Sequence, residues 1–395
     1  MPEPNPTSAG LGIIRWDAFE YVVSDIERSR RFYSKSMQVP EIAILGEQHA
    51  AQRGEDAVLF SIGHAPLVCV TPRDPDSSAG RWLKRHPDGV SRLGLRVRDI
   101  EHSRRILTQR GATFCESRIQ EESDHAGNRY RHFEIASPLG DVRFRFIERS
   151  DGALPPGFLP TGAAEPQNPF HFQVIDHVTS NLLTLGPFIS WLRDVFGFEE
   201  FWRVHFHTQD VRGELGGSGL ASIVMRDPES GIKFANNEPA TPNYEASQIY
   251  RFCEANSGPG VQHVAFSVPK IQPSVDGLRR AGINFLDTPS AYFDMLPARL
   301  ADRRVTNFGE NIDELRSLGI LVDGEDDRYL LQIFMVEGGL LYDDQRAGPF
   351  FYEVIQRCGS NGFGEGNFRA LFEAIERDQV QREMAEKQIE AGVGS

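Results

Sequence analysis

The sequence predicts an α+β protein of two domains, each built from two βαβββ modules. Three features predict this: a pattern that occurs four times, strand-like segments after each copy, and one stretch without apolar periodicity between the second and third copies. In each copy a short apolar strand leads through a turn into an amphipathic helix, and such self-similarity indicates a repeated structural unit. The four copies are "WDAFEYVVSDIERSRRFYSKSM", "GVSRLGLRVRDIEHSRRILTQRGATF", "VIDHVTSNLLTLGPFISWLRDVFGF" and "GVQHVAFSVPKIQPSVDGLRRAGINF".

The spacing of apolar residues within the copies assigns the helices and strands. In "DIERSRRFYSKSM", Ile26, Ser29, Phe32 and Tyr33 recur near helical spacing, which predicts one buried helix face. The helices are followed by segments rich in apolar and β-branched residues, such as "VRFRFIER", "LASIVMRD" and "YLLQIFMV", which are typical of strands. Each copy therefore predicts one βαβββ module.

The domain boundary is predicted from composition. The stretch "SDGALPPGFLPTGAAEPQNP" is rich in Pro, Gly and Ala and has no apolar periodicity, which is typical of a linker. We therefore expect an N-terminal domain over residues 1–155, a linker over 156–169 and a C-terminal domain over 170–395.

Composition and charge restrict the class of partner. The 395 residues are 40% apolar, which is enough for a large core, and carry a formal net charge of −14 without a Lys/Arg-dense stretch. Nucleic acids and anionic membrane surfaces require clustered positive charge, so we expect neither, and a small molecule is the predicted ligand. The absence of a signal-peptide pattern and of a bilayer-length apolar stretch predicts a cytoplasmic location. Four widely spaced cysteines are expected to be reduced: Cys69, Cys115, Cys253 and Cys358.

Two histidines occupy matched positions in the repeat. His263 lies in "GVQHVAFSVPKI", a run that is otherwise apolar, and alignment of the copies places Ala18 and Arg92 at the same position in the first two. The third copy has His177 there, in "VIDHVTSN". Two unrelated core histidines would explain the same letters, but the matched register favours two ligands of one metal in the C-terminal domain only.

The third ligand is expected on a late strand of that domain. In "GPFFYEVIQR", Glu353 shares a strand face with Phe351 and Ile355, where an unpaired carboxylate would be costly. A cation would remove that cost, although Glu353 could instead pair with Arg357 or face solvent. Two histidines and one carboxylate form the ligand set of non-haem Fe(II) oxygenases, and the same set also suits other divalent ions, as in glyoxalase-type lyases.

A second histidine pair is an alternative candidate for a metal site. In "RVHFHTQD", His205 and His207 share one strand face, which is a common metal-binding spacing. The segment has no carboxylate in register with the repeats. A solvated strand face is therefore the favoured interpretation.

Several C-terminal motifs resemble one enzyme family. "GVQHVAF", "IDHVTSN", "SLGILVDGEDDRYLLQIF", "FFYEVIQR" and "GFGEGNFRALFEAIERDQ" are similar to the 4-hydroxyphenylpyruvate dioxygenase family of the vicinal oxygen chelate superfamily. The resemblance covers most of residues 170–380 and is weaker in the N-terminal half, where only the repeat carries it. It implies one Fe(II) bound by the histidines of the "DH" and "QH" motifs and the glutamate of "FxE", which are His177, His263 and Glu353 here.

The resemblance also implies an activity. The family oxidatively decarboxylates 4-hydroxyphenylpyruvate with O₂ and gives homogentisate and CO₂, a step of tyrosine catabolism, by ring hydroxylation and side-chain migration. The related 4-hydroxymandelate synthase uses the same substrate and ligands but oxidises the benzylic carbon, and the bulky Phe334 favours the ring reaction. A non-catalytic binding protein of the same fold is a further alternative. Relatives are commonly homodimers or homotetramers, so we expect a homo-oligomer.

The resemblance assigns residues to the substrate pocket, although buried glutamines and phenylalanines also occur as ordinary core. The family has "PINEP" where this chain has "ANNEP", so Ala235 and Asn236 are candidates for altering the accepted ring substituent. Gly362, Gly364 and Gly366 would form the hinge of a C-terminal gating helix capped by Asn367, with an apolar stripe of Phe368, Leu371, Phe372 and Ile375. The expected catalytic residues are Gln332, Gln248, Asn237 and Ser222, and the expected substrate-binding residues are Gln262, Phe334, Phe351, Phe363, Asn367 and Phe368.

Overall fold

The computed structural model describes residues 10–162, 168–207, 218–364 and 366–367, and its strands form two mixed sheets. The strands of the first sheet are β1 (Ile13–Val22), β2 (Glu41–Leu45), β3 (Glu55–Ile62), β4 (Ala65–Pro72), β5 (Gly89–Val97), β6 (Gln120–Ser123), β7 (Arg129–Ala136), β8 (Arg143–Arg149) and β9 (Phe158–Pro160). The strands of the second sheet are β10 (Ile175–Asn181), β11 (Glu199–His207), β12 (Gly219–Arg226), β13 (Lys233–Ala240), β14 (Gly260–Ser267), β15 (Leu321–Glu325), β16 (Arg328–Phe334) and β17 (Phe351–Cys358).

Helices connect the strands in both halves. The α-helices are α1 (Ile26–Arg30), α2 (Glu47–Arg53), α3 (Ser78–Leu83), α4 (Ile100–Gln109), α5 (Gly186–Trp191), α6 (Gln248–Ala255), α7 (Ile271–Arg280), α8 (Ser290–Asp302), α9 (Ile312–Leu318) and α10 (Gly338–Leu341). π-Helical segments continue α1 over Arg31–Ser36 and α5 over Leu192–Phe196, and a 3₁₀ turn covers Gln345–Ala347. Within the described residues, no helix combines the length and the apolar character needed to cross a membrane.

The strand order confirms the predicted modules. The first sheet has the order β6-β7-β8-β5-β1-β4-β3-β2-β9, and the second has the order β11-β12-β13-β10-β14-β17-β16-β15. In each sheet the first strands of two modules pair antiparallel (β1 with β5, β10 with β14). Each of these strands also pairs in parallel with the last strand of its own module. The two halves therefore share one topology, as the fourfold repeat predicts.

The aspartates that recur before the helices of the first two copies act as N-caps. Asp25 and Asp99, which precede the helices in "DIERS" and "DIEHS", each accept hydrogen bonds from two backbone N–H groups of the first helical turn. Lys270 stands at this position in the fourth copy and cannot accept such a bond. There the Gln356 side-chain oxygen accepts from the Ile271 N–H at 2.7 Å, so a residue of β17 satisfies the helix start.

The expected linker is ordered in part. Phe158–Pro160 forms β9 and pairs antiparallel with β2 at the edge of the first sheet. The Phe158 side chain is buried, and this burial holds the segment against the sheet even though its composition is typical of a linker. Pro160 lies at the end of an edge strand, where the missing N–H costs no ladder bond.

The core lies between the two sheets. On the first sheet Phe19 and Phe144, and on the second Phe234, Phe266 and Tyr352, belong to one buried apolar cluster. The ring centroids of Phe144 and Phe234 are 6.0 Å apart, and those of Phe19 and Phe266 are 6.3 Å apart. Because side chains alternate along a strand, the residues before and after these rings face away from this core. The four cysteines are all free, as predicted.

Candidate metal centre

Strand register brings the three predicted ligands to one face of the second sheet. His177 on β10 lies opposite Ala265 on β14, and Ala265 lies beside Glu353 on β17. His263 precedes Ala265 by two residues and therefore points to the same side of β14. Three strands that are far apart in the chain thus converge on one point. We call this side of the sheet the inner face.

The ligand atoms of the three residues lie close together and away from solvent. Glu353 Oε2 is 3.1 Å from His177 Nε2 and 3.2 Å from His263 Nε2, and one ligand atom from each residue lies within 4.8 Å of the others. The residues are only 2%, 3% and 2% exposed for His177, His263 and Glu353. Two imidazoles and one carboxylate at this spacing could hold a divalent cation.

The hydrogen bonding of these residues is compatible with a bound cation. Glu353 Oε1 and His263 Nε2 are both buried, and neither has a hydrogen-bond partner within the described residues. Leaving such atoms unpaired in the interior costs about 1–3 kcal/mol each, and more for a charged group. A metal ion bound between them would satisfy both atoms. The residues therefore fit the implied metal.

Neighbouring side chains fix the orientation of both imidazoles. Asp176 Oδ1 lies 2.8 Å from His177 Nδ1, and Gln262 Oε1 lies 3.1 Å from His263 Nδ1. An acceptor at Nδ1 places the ring proton there and leaves Nε2 free to bind a metal. Arg357 donates to both oxygens of Asp176 at 2.6 Å, so it pairs with Asp176 rather than with Glu353.

Electrostatics favours the metal-binding protonation states of His263 and Glu353, whereas the unmetallated site favours a protonated His177. Burial lowers the pKa of His263, which keeps this imidazole neutral. Burial opposes the charge of Glu353, but the adjacent His177 and His263 lower the pKa of this carboxyl below its usual value. Burial likewise opposes the charge of Asp176, and its bonds with Arg357 and His177 hold its pKa well below the ordinary range. The pKa of His177 is raised, because Glu353 and Asp176 outweigh its burial.

Asp176→Asn is expected to weaken metal binding about 10- to 100-fold, because outer partners of a metal-binding histidine set its tautomer and basicity. Competition with a chromogenic chelator measures the affinity. Asp227→Asn is the matched control, since Asp227 is also buried but bonds to Ser230. Equal affinities for Asp176→Asn and the unchanged protein would show that Asp176 does not orient His177.

A row of polar atoms extends the site along the inner face. Ser222 Oγ and Asn237 Oδ1, both on predicted pocket residues, are buried without a hydrogen-bond partner in the described chain. Asn237 donates its amide to Asn181 Oδ1 at 3.0 Å. Thr179 Oγ1 and Asn181 Nδ2 are unpaired in the same way, and neither residue is among those predicted from the sequence. Both residues alternate with His177 in "IDHVTSN", and this spacing, which puts the three side chains on one strand face, could have identified them.

The three predicted glutamines lie around the ligands. Phe334 is in register with Glu353, and Gln332, two residues before it, shares its face. Gly364, with φ +78°, packs on Gln332, and a Cβ there would lie 2.5 Å from Gln332 Oε1. Gln262 lies between His263 and Gln248, whose Oε1 is 3.5 Å from Gln262 Nε2. Gln262 and Gln248 therefore form a chain that leads to one imidazole.

Aromatic rings enclose the imidazoles. The Phe363 ring centroid is 4.5 Å from that of His177, and the Phe351 ring is stacked on His263 at 5.0 Å. Phe334 meets His263 edge-on at 5.9 Å. Three of the four predicted rings therefore lie against the imidazoles. The fourth predicted ring, Phe368, lies outside the described residues, as do Leu371, Phe372 and Ile375.

Asn367 is not a helix cap, so this prediction is wrong. Gly366 before it is already helical. The Asn367 side chain is fully buried, and its Oδ1 accepts from the Tyr292 hydroxyl at 2.6 Å instead of from the helix backbone. Gly366 N–H donates to Asp323 at 3.0 Å, which also anchors this turn to β15.

The residues of "ANNEP" divide between the two sheet faces. Ala235 packs with Val224 and Phe363 and so borders the site. Asn236 points the other way: its Oδ1 accepts from Ser180 Oγ at 2.9 Å and its amide donates to the Phe234 carbonyl at 2.8 Å. Only Ala235 of the two is in position to touch a ligand.

Among the residues that the structure describes, no third metal-binding group is clustered with the alternative histidine pair. His205 and His207 are exposed on β11. His177, His263 and Glu353 form the one group of three or more His, Cys, Asp or Glu side chains with metal-binding spacing in the part of the chain that the structure describes.

Comparisons with known proteins identify relatives that cover most of the chain. Residues 174–296 match the family model described as the Glyoxalase/Bleomycin resistance protein/Dioxygenase superfamily. A 4-hydroxyphenylpyruvate dioxygenase from Caenorhabditis briggsae is 32% identical over 94% of this chain and 93% of its own length. One from Dictyostelium discoideum is 34% identical over 76% and 80%. A solved mutant of 4-hydroxymandelate synthase from Streptomyces coelicolor matches with a TM-score of 0.76 and 27% identity, over 93% of this chain and 99% of that one.

Proposed function

The chain belongs to the 4-hydroxyphenylpyruvate dioxygenase family, and we propose on this premise that it converts 4-hydroxyphenylpyruvate and O₂ to homogentisate and CO₂. The observation that carries the proposal is the buried group of His177, His263 and Glu353, with two ligand atoms left unpaired. These three side chains would hold Fe(II). The protein is thus a non-haem iron dioxygenase that uses an aromatic α-keto acid as substrate.

The ligand number explains why no second cofactor is needed. When bound, a ferrous ion with three protein ligands supplies open coordination positions for a chelating α-keto acid and for O₂, while the keto acid itself supplies electrons. The protein's own task is to bind, orient and desolvate the substrate. The residues of the inner face supply these functions.

Polar and aromatic groups of the inner face divide this task. Gln332 shares a strand face with Phe334 on β16, so its amide is in position to meet a polar end of the substrate. Ser222 Oγ and Asn237 Oδ1 are unpaired and are available in the same way. Phe334 and Phe351 exclude water from the iron side of the pocket and provide apolar surface for the substrate ring.

A second candidate is benzylic oxidation of the same substrate to 4-hydroxymandelate. The structural similarity to 4-hydroxymandelate synthase extends over nearly the whole chain and supports this second candidate. Both reactions need the same ligands, so the shape of the pocket decides which carbon is oxidised. Phe334, which lies edge-on to His263, fills the pocket at this point and favours the ring product.

The function is tested by supplying purified protein with Fe(II), 4-hydroxyphenylpyruvate and air, with O₂ uptake recorded and products identified by mass spectrometry. We expect homogentisate and CO₂ with one O₂ consumed per substrate. 4-Hydroxymandelate as the main product would support the second candidate. Turnover without O₂ uptake would indicate lyase or isomerase chemistry, and binding without turnover would indicate a binding protein. Parallel loading with Mn(II), Co(II) and Zn(II) identifies the active metal.

A further inference from the structure

The first sheet has a cavity of about 360 Å³ on the face that corresponds to the inner face of the second sheet. Arg92 lies opposite Glu20 and beside Arg143, just as His263 lies opposite Thr179 and beside Phe351. Arg145 lies beside Gly94, just as Glu353 lies beside Ala265. Two arginines therefore replace two of the metal ligands, and Ala18 replaces the third. The volume is within the range of small-molecule sites, roughly 300–1,000 Å³.

The two arginines are already neutralised by the cavity wall. Arg92 Nε donates to Glu134 Oε1 at 2.9 Å, and its Nη1 is paired with Glu20. Arg145 Nε donates to the same Glu134 oxygen at 2.8 Å. These groups cancel in charge and fix one another in position. They form one polar side of the cavity and are paired with one another, so a ligand would be bound by other residues of the lining.

Two acceptors that line the cavity can accept a further hydrogen bond. Glu55 is only 9% exposed and forms no ion pair with a described residue, and its one hydrogen bond there comes from the Ala79 N–H to Oε1 at 2.7 Å. His132 Nε2 lies 3.2 Å from Glu122 Oε1 and donates to it, which leaves Nδ1 as an acceptor. This Nδ1 is buried and has no hydrogen-bond partner in the described chain. The Glu55 carboxylate and the lone pair of His132 Nδ1 can each accept a hydrogen bond from a cationic donor such as an ammonium group.

The guanidinium group of Arg143, which lines the cavity, can form further hydrogen bonds. Arg143 is 44% exposed and makes one long hydrogen bond, 3.4 Å, to Glu134. It also lines an adjacent groove of about 220 Å³ that contains Arg81 and Arg85. Such an arginine can bind a carboxylate through two parallel N–H groups. One part of the wall is apolar and includes Leu45, Val68, Val70, Tyr130 and Phe158, while Arg53, Ser78 and Glu116 are further polar groups of the lining.

We propose that this cavity binds a free α-amino acid with a large apolar side chain. Its ammonium group is held by Glu55 and His132, its carboxylate by Arg143, and its side chain by the apolar wall. The N-terminal half thus uses the same face of the shared topology for a second small-molecule site without a metal. This site does not depend on the proposed dioxygenase activity.

Calorimetric titration of the full-length, iron-loaded protein tests this site with three probes: L-phenylalanine, 2-phenylethylamine and 3-phenylpropionate. The second probe lacks the carboxylate and the third lacks the ammonium group. We expect L-phenylalanine to bind at least about 10-fold more tightly than either, because each charged end adds hydrogen bonds to a charged partner. No heat at millimolar L-phenylalanine, or equal binding of 2-phenylethylamine, would overturn the proposal.

Matched variants locate the binding. Glu55→Gln keeps an oxygen for the Ala79 N–H but removes the charge, so we expect folded protein with at least about 10-fold weaker binding of L-phenylalanine. Arg143→Gln should weaken the same probe and leave 2-phenylethylamine unchanged. Glu254→Gln, on the exposed face of α6, is the control and should bind as the unchanged protein. Binding that Glu55→Gln leaves intact would place L-phenylalanine elsewhere, for example at the iron, and would contradict this site.

Discussion

Glu353→Ala is expected to abolish iron-dependent turnover of 4-hydroxyphenylpyruvate while leaving the fold largely intact. The variant loses one of three ligands, and its effect on iron affinity should exceed the roughly 10- to 100-fold that loss of an outer partner causes. The buried β17 backbone keeps its pairing with β14 and β16, so the sheet does not depend on this carboxylate. Steady-state O₂ uptake and iron content after gel filtration measure the two effects.

The control for this variant is Glu325→Ala, which removes a carboxylate from an exposed position on β15 of the same sheet. It should retain iron and activity. Circular dichroism of both variants separates loss of metal from loss of fold. Retained turnover in folded Glu353→Ala would refute the assignment of Glu353 as a ligand.

Arg357→Ala is expected to lower the free energy of unfolding of the metal-free protein by about 3–5 kcal/mol. Arg357 is the bidentate partner of Asp176, and the two side chains are only 19% and 10% exposed, so removing one member of this largely buried pair leaves the other charge uncompensated. Arg357 also donates to the Gly362 carbonyl at 2.8 Å, so the turn before Phe363 loses its anchor as well. Urea denaturation measures the change.

Two comparisons test the cause of this loss. Asp176→Asn combined with Arg357→Ala removes the stranded charge and should recover part of the stability, but not the iron affinity. Arg203→Ala breaks a pair with Glu200 in which the arginine is 64% exposed, and it should change stability by no more than about 1 kcal/mol. If Arg357→Ala cost no more than Arg203→Ala, the buried pair would not have the structural role assigned to it.

The fold and the clustering of His177, His263 and Glu353 were predictable because they depend on repeated short-range patterns. The four copies fix the module, and the matched position of His177 and His263 within two copies fixes where they meet once the strands pair. Glu353 has no counterpart in the matched histidine positions, and only its apolar neighbours indicated that its carboxylate is buried. Ala18 and Arg92 were also placed at the equivalent positions of the first sheet, and its strand register agrees.

The parts that were missed depend on contacts between distant residues. Asp176 and Arg357 are 181 positions apart, and no local pattern indicates that they pair. Asn367 has the residue type of a cap, but the Tyr292 hydroxyl takes its oxygen. Phe158–Pro160 has the composition of a linker, yet the free edge of β2 and the burial of Phe158 make it a strand. In each case a tertiary partner decided the outcome.

The most direct test of the metal centre is anomalous diffraction from crystals of the Fe(II)-loaded protein, with data collected on both sides of the iron absorption edge. One iron peak is predicted, within coordination distance of His177 Nε2, His263 Nε2 and the Glu353 carboxylate. A peak that any one of these three side chains cannot reach, or no iron peak in protein loaded under conditions that support turnover, would contradict the assignment.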